Sequence, residues 1–223
     1  CRSRVFSRTG FCAQAAVIFK ELRSFMTEQS IALLVAAGTS SRMNGGPPKP
    51  YLQLGEESLI RRTAKIFLTH PGIDGVRVVI HREHHGLYKK TMDGLTMFPC
   101  VIGGDNRQDS VRLGLESLIH RKPKRVLVHD IARPMASHDL IDRVLAGLSS
   151  HKAVIPGLPV HDTVKRVKND AVSEAISREN LFSVQTPQGF AFDELLALHQ
   201  QCKGKAFTDD AALFEQAGIP VLV

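Results

Sequence analysis

At 223 residues with 43% hydrophobic content, the chain is long enough to bury one complete core and reads as a single domain. Its net charge of +7 is uneven: Arg2, Arg4, Arg8, Lys20 and Arg23 against Glu21 put five cations and one anion into residues 1–25. The remainder carries +3 (7 less 4), too little to indicate nucleic acid. No run approaches the roughly 18 apolar residues of a membrane helix. Cys1, Cys12, Cys100 and Cys202 form no C-x-x-C pair, which speaks against a disulfide framework and a zinc site and fits a reducing, cytoplasmic setting.

Residues 1–25 begin with Cys1 and are Arg-rich and almost free of acid, a pattern that a transit peptide shares. Met26, followed by Thr27-Glu28-Gln29-Ser30, reads as a natural start just before the first strand. Residues 1–25 are therefore expected to be a disordered leader of doubtful authenticity, with the domain at 26–223. The first strand is the apolar run Ile31-Ala32-Leu33-Leu34-Val35-Ala36, which gives way at Ala37-Gly38 to a small-residue turn ending in Arg42. Past Gly45-Gly46-Pro47-Pro48 comes Lys49. A buried strand that opens into Gly, Thr and Ser exposes backbone N–H groups suited to a phosphate chain, and the two cations stand at either end of that cradle. Pro48 and Pro50 fix the backbone around Lys49, which suits a catalytic cation; the plainer alternative is a strand-to-helix turn with two solvated charges. Neither G-x-x-x-x-G-K-[ST] nor G-x-G-x-x-G occurs, so the loop is neither a P-loop nor an NAD-binding fingerprint.

Beyond it, strands and amphipathic helices alternate, the signature of a parallel sheet with helices on both faces. Val76 to Ile80, Cys100 to Ile102, Arg125 to His129 and Ala153 to Pro156 read as strands. Ile60, Ala64, Phe67 and Leu68 mark one helical face; Val111, Leu115, Leu118 and Ile119 a second; Leu140, Ile141, Val144, Leu145 and Leu148 a third. Ser58, Asp109 and Ser137 are the expected N-caps, and Thr208 with Gly218 brackets a late helix. His81, His84 and His85 cluster after a strand and read as a solvated loop rather than a metal site. Thr163 to Val167 and Ala171 to Ile176, joined by Lys168-Asn169-Asp170, predict a protruding hairpin within about 160–185. A two-stranded arm is marginal alone, which points to packing on a second subunit, hence a homodimer; folding back on its own domain is the alternative.

Ligands of an open parallel sheet bind beyond the carboxyl ends of its strands, and three polar clusters fall there. Ala36 to Lys49 is the first. Gly103-Gly104 allows close backbone approach to a planar ligand, with Asp105 and Ser110 able to bond a base edge. Asp130 is placed to hold Mg²⁺ opposite a triphosphate, or else to cap a turn, and Arg133 to meet a second anion. Together they suit nucleotidyl transfer, in which an anionic acceptor phosphate attacks an α-phosphorus without a side-chain nucleophile. The missing G-x-S-x-G elbow agrees.

On these residues the chain resembles the 2-C-methyl-D-erythritol 4-phosphate cytidylyltransferases of the non-mevalonate isoprenoid pathway. The resemblance runs from Ile31 almost to Val223: Ala36-Ala37-Gly38 through Arg42-Met43, Pro48-Lys49-Pro50-Tyr51, Gly103-Gly104-Asp105 through Asp109-Ser110-Val111, Val128-His129-Asp130-Ile131-Ala132-Arg133-Pro134, Asp162 through Arg166, Thr186-Pro187-Gln188 and Thr208-Asp209. It implies a three-layer, Rossmann-like nucleotidyltransferase fold with a β-arm, and the substrates CTP and methylerythritol phosphate. In that scheme Arg42 and Lys49 stabilise the α-phosphate. Ala36, Ala37, Gly38, Gly104, Asp105 and Ser110 bind the nucleotide, with cytosine read by all but Gly38, and Asp130 serves Mg²⁺ and the ribose side. Arg133, Thr163, Arg178 and Thr208 hold the acceptor, with Arg178 crossing on the arm to act in the neighbour's site. The sequence has Pro50 where relatives more often have Gln, and it stops at Val223 where they continue into a segment with a second active-site lysine. That suggests a fragment, or the first part of a fusion with the cyclodiphosphate synthase. A cytidylyltransferase for ribitol 5-phosphate and a non-catalytic nucleotide-binding protein are the competing functions.

Overall fold

The structure is a computed structural model and describes residues 29–38, 46–205 and 207–223. The expected leader and Arg42 lie outside them. In chain order the elements are β1 (Ser30–Ala36), β2 (Gln53–Leu54), β3 (Glu57–Ser58), α1 (Leu59–Leu68), β4 (Gly75–Ile80), α2 (His85–Thr91), β5 (Val101–Ile102), α3 (Arg107–Glu116), β6 (Arg125–Asp130), α4 (His138–Gly147), β7 (Ala153–Val154), β8 (Gly157–Pro159), β9 (Val164–Lys168), β10 (Ala171–Ile176), β11 (Phe182–Val184), β12 (Gln188–Ala191), α5 (Phe192–Gln201), α6 (Ala211–Gln216) and β13 (Val221–Leu222).

β1 is buried along its whole length, because it is covered on both faces. Side chains alternate across a strand, so Ile31, Leu33 and Val35 enter one core and Ala32, Leu34 and Ala36 the other. The first core is closed by α3, α5 and α6 through Leu115, Leu198 and Phe214; the second by α1, α2 and α4 through Phe67, Tyr88 and Ile141. The result is the expected three-layer architecture, with the sheet order β13-β7-β12-β6-β1-β4-β5. It is mostly parallel. β12 runs antiparallel between β6 and β7, where no strand was expected. Gln188-Gly189-Phe190-Ala191 has no β-branched residue to announce it.

Helix starts follow local hydrogen bonding. Ser58 and Ser137 cap α1 and α4 as expected, their hydroxyls accepting from the N–H groups of Arg61 (3.4 Å) and Leu140 (3.2 Å). Asp109 does not cap α3. That role belongs to Asn106, whose Oδ1 accepts the Asp109 N–H at 2.8 Å while its Nδ2 donates to Asp109 Oδ2 at 2.8 Å, a reciprocal cap. Nor does Thr208 start α6: Asp209 Oδ1 takes the Ala212 N–H at 3.1 Å. Gly218 does end it, at φ +69, with Ile219 N–H on the Phe214 carbonyl and Gly218 N–H on that of Glu215. The histidine segment is not a loop either. Arg82–His84 forms a 3₁₀ turn that leads into α2. The missed helix α5 carries a legible stripe of Phe192, Leu195, Leu198 and His199.

β9 and β10 form a hairpin that leaves the sheet, turning at Asn169 and Asp170, both left-handed (φ 52 and 60) as a type I′ turn requires. The ladder of β8 with β11 is its stem. Val167 and Val172 are each more than half exposed, so the arm has no core of its own.

Candidate active site

From β1 the chain steps outward to β4 and β5, then returns to the other side of β1 as β6. Such a reversal opens a crevice beyond the strand ends. A cavity of about 710 Å³ lies there. Ala37 and Gly38 line it after β1, His81, Arg82 and Glu83 after β4, Gly103 to Arg107 with Ser110 after β5, and Asp130 at the end of β6. The nucleotide residues expected from sequence thus converge. Ala36 is the one exception, buried in β1 just behind the wall.

Glycine is required on the β5 side. A Cβ on Gly103 would stand 2.5 Å from Ala37 Cβ and 2.6 Å from Ser110 Oγ. Ser110 is not free to read a base edge. It is 1% exposed, its Oγ accepts the Gly104 N–H at 3.1 Å and its hydroxyl donates to the Asn106 carbonyl at 2.8 Å. It shapes the glycine loop instead, and leaves exposed Asp105 as the polar group beside it.

Asp130, about a third exposed, is held by Arg107, whose Nε donates to Oδ1 at 3.2 Å, while Arg133 Nε lies 4.0 Å from Oδ2. Neither Arg107 nor its inner partner Asp210 was given a role from sequence. Burial alone would lower the Arg107 guanidinium, but Asp210 and Asp130 outweigh it and raise its pKa. Behind Asp130, His129 orders the turn. Its Nε2 bonds the Arg133 carbonyl at 3.0 Å, which can only accept, so Nε2 carries the proton and Nδ1 accepts the Thr186 hydroxyl at 2.9 Å. Thr186 Oγ in turn accepts the Asp130 N–H at 3.3 Å. Burial pushes the His129 imidazole down to about 4, so it is neutral at physiological pH, as this bonding needs.

Arg133 lines a second cavity of about 670 Å³, together with Gln185, Thr186, Met135, Leu158 and Phe182. The Arg133 guanidinium donates to Gln185 Oε1. Asp130 lines the first cavity and Arg133 the second, and the two side chains approach to 4.0 Å. Lys49 opens a 3₁₀ turn, Lys49–Tyr51, and is itself exposed. The turn is pinned by the buried Tyr51 ring, 5.5 Å edge-on from His84, which the adjoining His81 also touches. Thr163 and Arg178 are exposed on the arm, Arg178 donating to the His161 carbonyl, and neither lines the crevice. Thr208, exposed before α6, does not line it either. Among the described residues no group of three His, Cys, Asp or Glu could hold a metal, and no helix is long and apolar enough to cross a membrane.

Residues 30–223 match the family of IspD, 2-C-methyl-D-erythritol 4-phosphate cytidylyltransferase. The chain belongs to this family. It is 47% identical over 188 residues to the bifunctional enzyme IspD/IspF of Rhodospirillum rubrum, covering 84% of this chain and 49% of that one. The bifunctional enzyme IspD/IspF of Paramagnetospirillum magneticum is 44% identical over 193 residues, 86% of this chain and 50% of that one. The chain thus spans about half the length of these curated relatives. The crystal structure of 2-C-methyl-D-erythritol 4-phosphate cytidylyltransferase from Thermus thermophilus superposes with a TM-score of 0.72 at 33% identity, covering 85% of each chain. These matches favour neither of the competing functions, a ribitol phosphate enzyme or a non-catalytic binding protein.

Proposed function

We propose that this chain joins CTP to 2-C-methyl-D-erythritol 4-phosphate, giving 4-diphosphocytidyl-2-C-methyl-D-erythritol and pyrophosphate. The supporting observation is that Asp130, on the wall of the cavity lined by the glycine loops, lies 4.0 Å from Arg133, which lines the other cavity with Gln185 and Thr186. CTP occupies the first cavity, with its base beside Gly104 and Asp105 and its phosphates over Ala37 and Gly38. The acceptor enters the second cavity with its phosphate at Arg133. An acceptor phosphate oxygen forms a bond to the α-phosphorus as the bond to the β-phosphate bridging oxygen breaks, and pyrophosphate departs with that electron pair. No proton needs to move, since a phosphate monoester is already anionic. Lys49 and Arg42 supply positive charge to the crowded α-phosphate, and such preorganised charge is the main contribution a protein makes to this chemistry.

Asp130 offers a hard oxygen donor on the cavity wall and no complete protein cage accompanies it among the described residues, which fits Mg²⁺ held by one carboxylate together with substrate phosphates. The ion would neutralise charge on the triphosphate. The arm, exposed on both faces, is assigned to a homodimer in which Thr163 and Arg178 reach the partner's acceptor cavity. Free Cys100 and Cys202 suit the cytoplasm.

Pyrophosphate release measured with CTP and a panel of acceptors tests the assignment. Turnover should require methylerythritol phosphate, and faster turnover with ribitol 5-phosphate would overturn it.

A further inference from the structure

Asp210 stands at the start of α6, yet it does not cap that helix. Its side chain is enclosed, the residue being 1% exposed, and both oxygens are engaged sideways. Oδ1 accepts from Nε2 of His199 in α5 at 3.0 Å, and Oδ2 accepts from Nη1 of Arg107 in the first turn of α3 at 2.8 Å. His199 is equally enclosed, and its Nδ1 has no hydrogen-bond partner. Desolvating such groups is costly, and a buried ion pair is on balance no more stabilising than apolar side chains of the same volume. The surrounding face already packs through Leu115, Leu198 and Phe214, so cohesion alone is a weak reason for charge here.

The chain of groups has a direction. Arg107 passes from the core to the crevice, with Nη1 on Asp210 inside and Nε on Asp130 Oδ1 at the cavity wall. A guanidinium is planar and rigid, so fixing one edge fixes the other. His199 orients Asp210, Asp210 sets the plane of Arg107, and Arg107 immobilises one oxygen of Asp130. Oδ2 remains the oxygen that Arg107 does not engage, 4.0 Å from Arg133 Nε.

We infer that His199, Asp210 and Arg107 are positioning residues for the Asp130 carboxylate, an assignment that rests on the reading of Asp130 as the group facing the triphosphate and its Mg²⁺. They preset its rotamer before the nucleotide arrives. Positioning of this kind is worth factors of ten to a hundred where a shift of about 1 Å disturbs a reacting group.

The experiment compares D210N, D130N and the double variant by calorimetric titration with CTP in Mg²⁺, by kcat and KM, and by thermal unfolding. D210N keeps the volume and an oxygen for His199 but loses the charge that holds Arg107. It should bind CTP with Mg²⁺ about tenfold more weakly and lose about tenfold in kcat, while KM for the acceptor stays within about threefold. D130N should lose at least as much, and the double variant no more than D130N alone, since both act at one carboxylate. D210N with parental CTP affinity beside an impaired D130N would overturn the positioning role and leave Asp130 in place. D130N with parental affinity would overturn the reading of Asp130 and this assignment with it. Losses that multiply in the double variant would also overturn it, as they would show that Asp210 acts elsewhere. Should D210N fail to fold, R107K makes the same comparison, because one ammonium cannot hold both carboxylates at these positions. The same losses support the role, and parental binding contradicts it.

Discussion

Replacing Gly103 by alanine probes the joint on which the nucleotide cavity depends. The new methyl group would stand 2.5 Å from Ala37 Cβ and 2.6 Å from Ser110 Oγ, against ordinary carbon contacts of about 3.5–4.0 Å. Neither neighbour can yield cheaply: Ala37 follows the buried β1, and the Ser110 hydroxyl is bonded to Gly104 and Asn106. Overpacking typically costs about 1–3 kcal/mol, and loss of the Ser110 to Gly104 hydrogen bond about 1 kcal/mol more. A destabilisation near 3 kcal/mol lowers Tm by roughly 6–12 °C for a domain of this size. Opening the joint by about 1 Å also separates the two glycine loops, so CTP affinity should fall at least tenfold. Gly38→Ala is the control, since nothing among the described residues lies within 4 Å of the added Cβ, and its Tm should match the parent. Differential scanning calorimetry and CTP titration read both effects. A G103A protein with parental Tm and parental CTP affinity would refute the close approach of the strand end to the glycine loop.

Lys49→Ala should lower kcat about 100-fold while CTP affinity changes by no more than a few-fold, measured by pyrophosphate release and calorimetry; equal activity would remove Lys49 from the mechanism. Folding stability should fall as the pH drops from about 6.5 towards about 4, because the unfolded chain protonates His129 across that window and the folded chain does not. The loss is on the order of 3 kcal/mol, complete near pH 4, and chemical denaturation at a series of pH values in parent and His129→Gln should show it shrinking in the variant. Shortening the arm by replacing residues 161–178 with a tight turn should leave a folded protein that light scattering finds monomeric and that turns over at least tenfold more slowly; an unchanged oligomeric state would contradict the role given to the arm.

Much of the fold was legible because its strongest signals are local. β1 is a continuous apolar run from Ile31 to Ala36, β4 is apolar from Val76 to Ile80 but for Arg77, β6 is apolar from Val126 to Val128, and the Ile60 and Ile141 stripes have helical spacing. β12 escaped because its position is set by neighbours rather than by its own residues: Phe190 fills the core while Gly189 lets α4 approach, a Cβ there meeting Val144 at 2.5 Å. That Ala37, Gly38, Gly103 and Gly104 line one cavity was legible from glycine and small residues at strand ends. The groups that aim Asp130 were not, since Arg107, Asp210 and Thr186 are 23, 80 and 56 residues away from it and meet only after the sheet has formed. The histidines at 81–85 misled because alternating charge and polarity look the same in a loop and in a short helix over an apolar face. Only the packing of Tyr88 beneath them decides.

A crystal structure of the protein with CTP and Mg²⁺ tests most directly whether the meeting of Asp130 and Arg133 is where transfer takes place. Cytosine should lie against Gly103 and Gly104, with the α-phosphate beside Asp130 and open to the Arg133 cavity. Nucleotide found in the Arg133 cavity, or with its α-phosphate turned away from Asp130, would contradict the assignment.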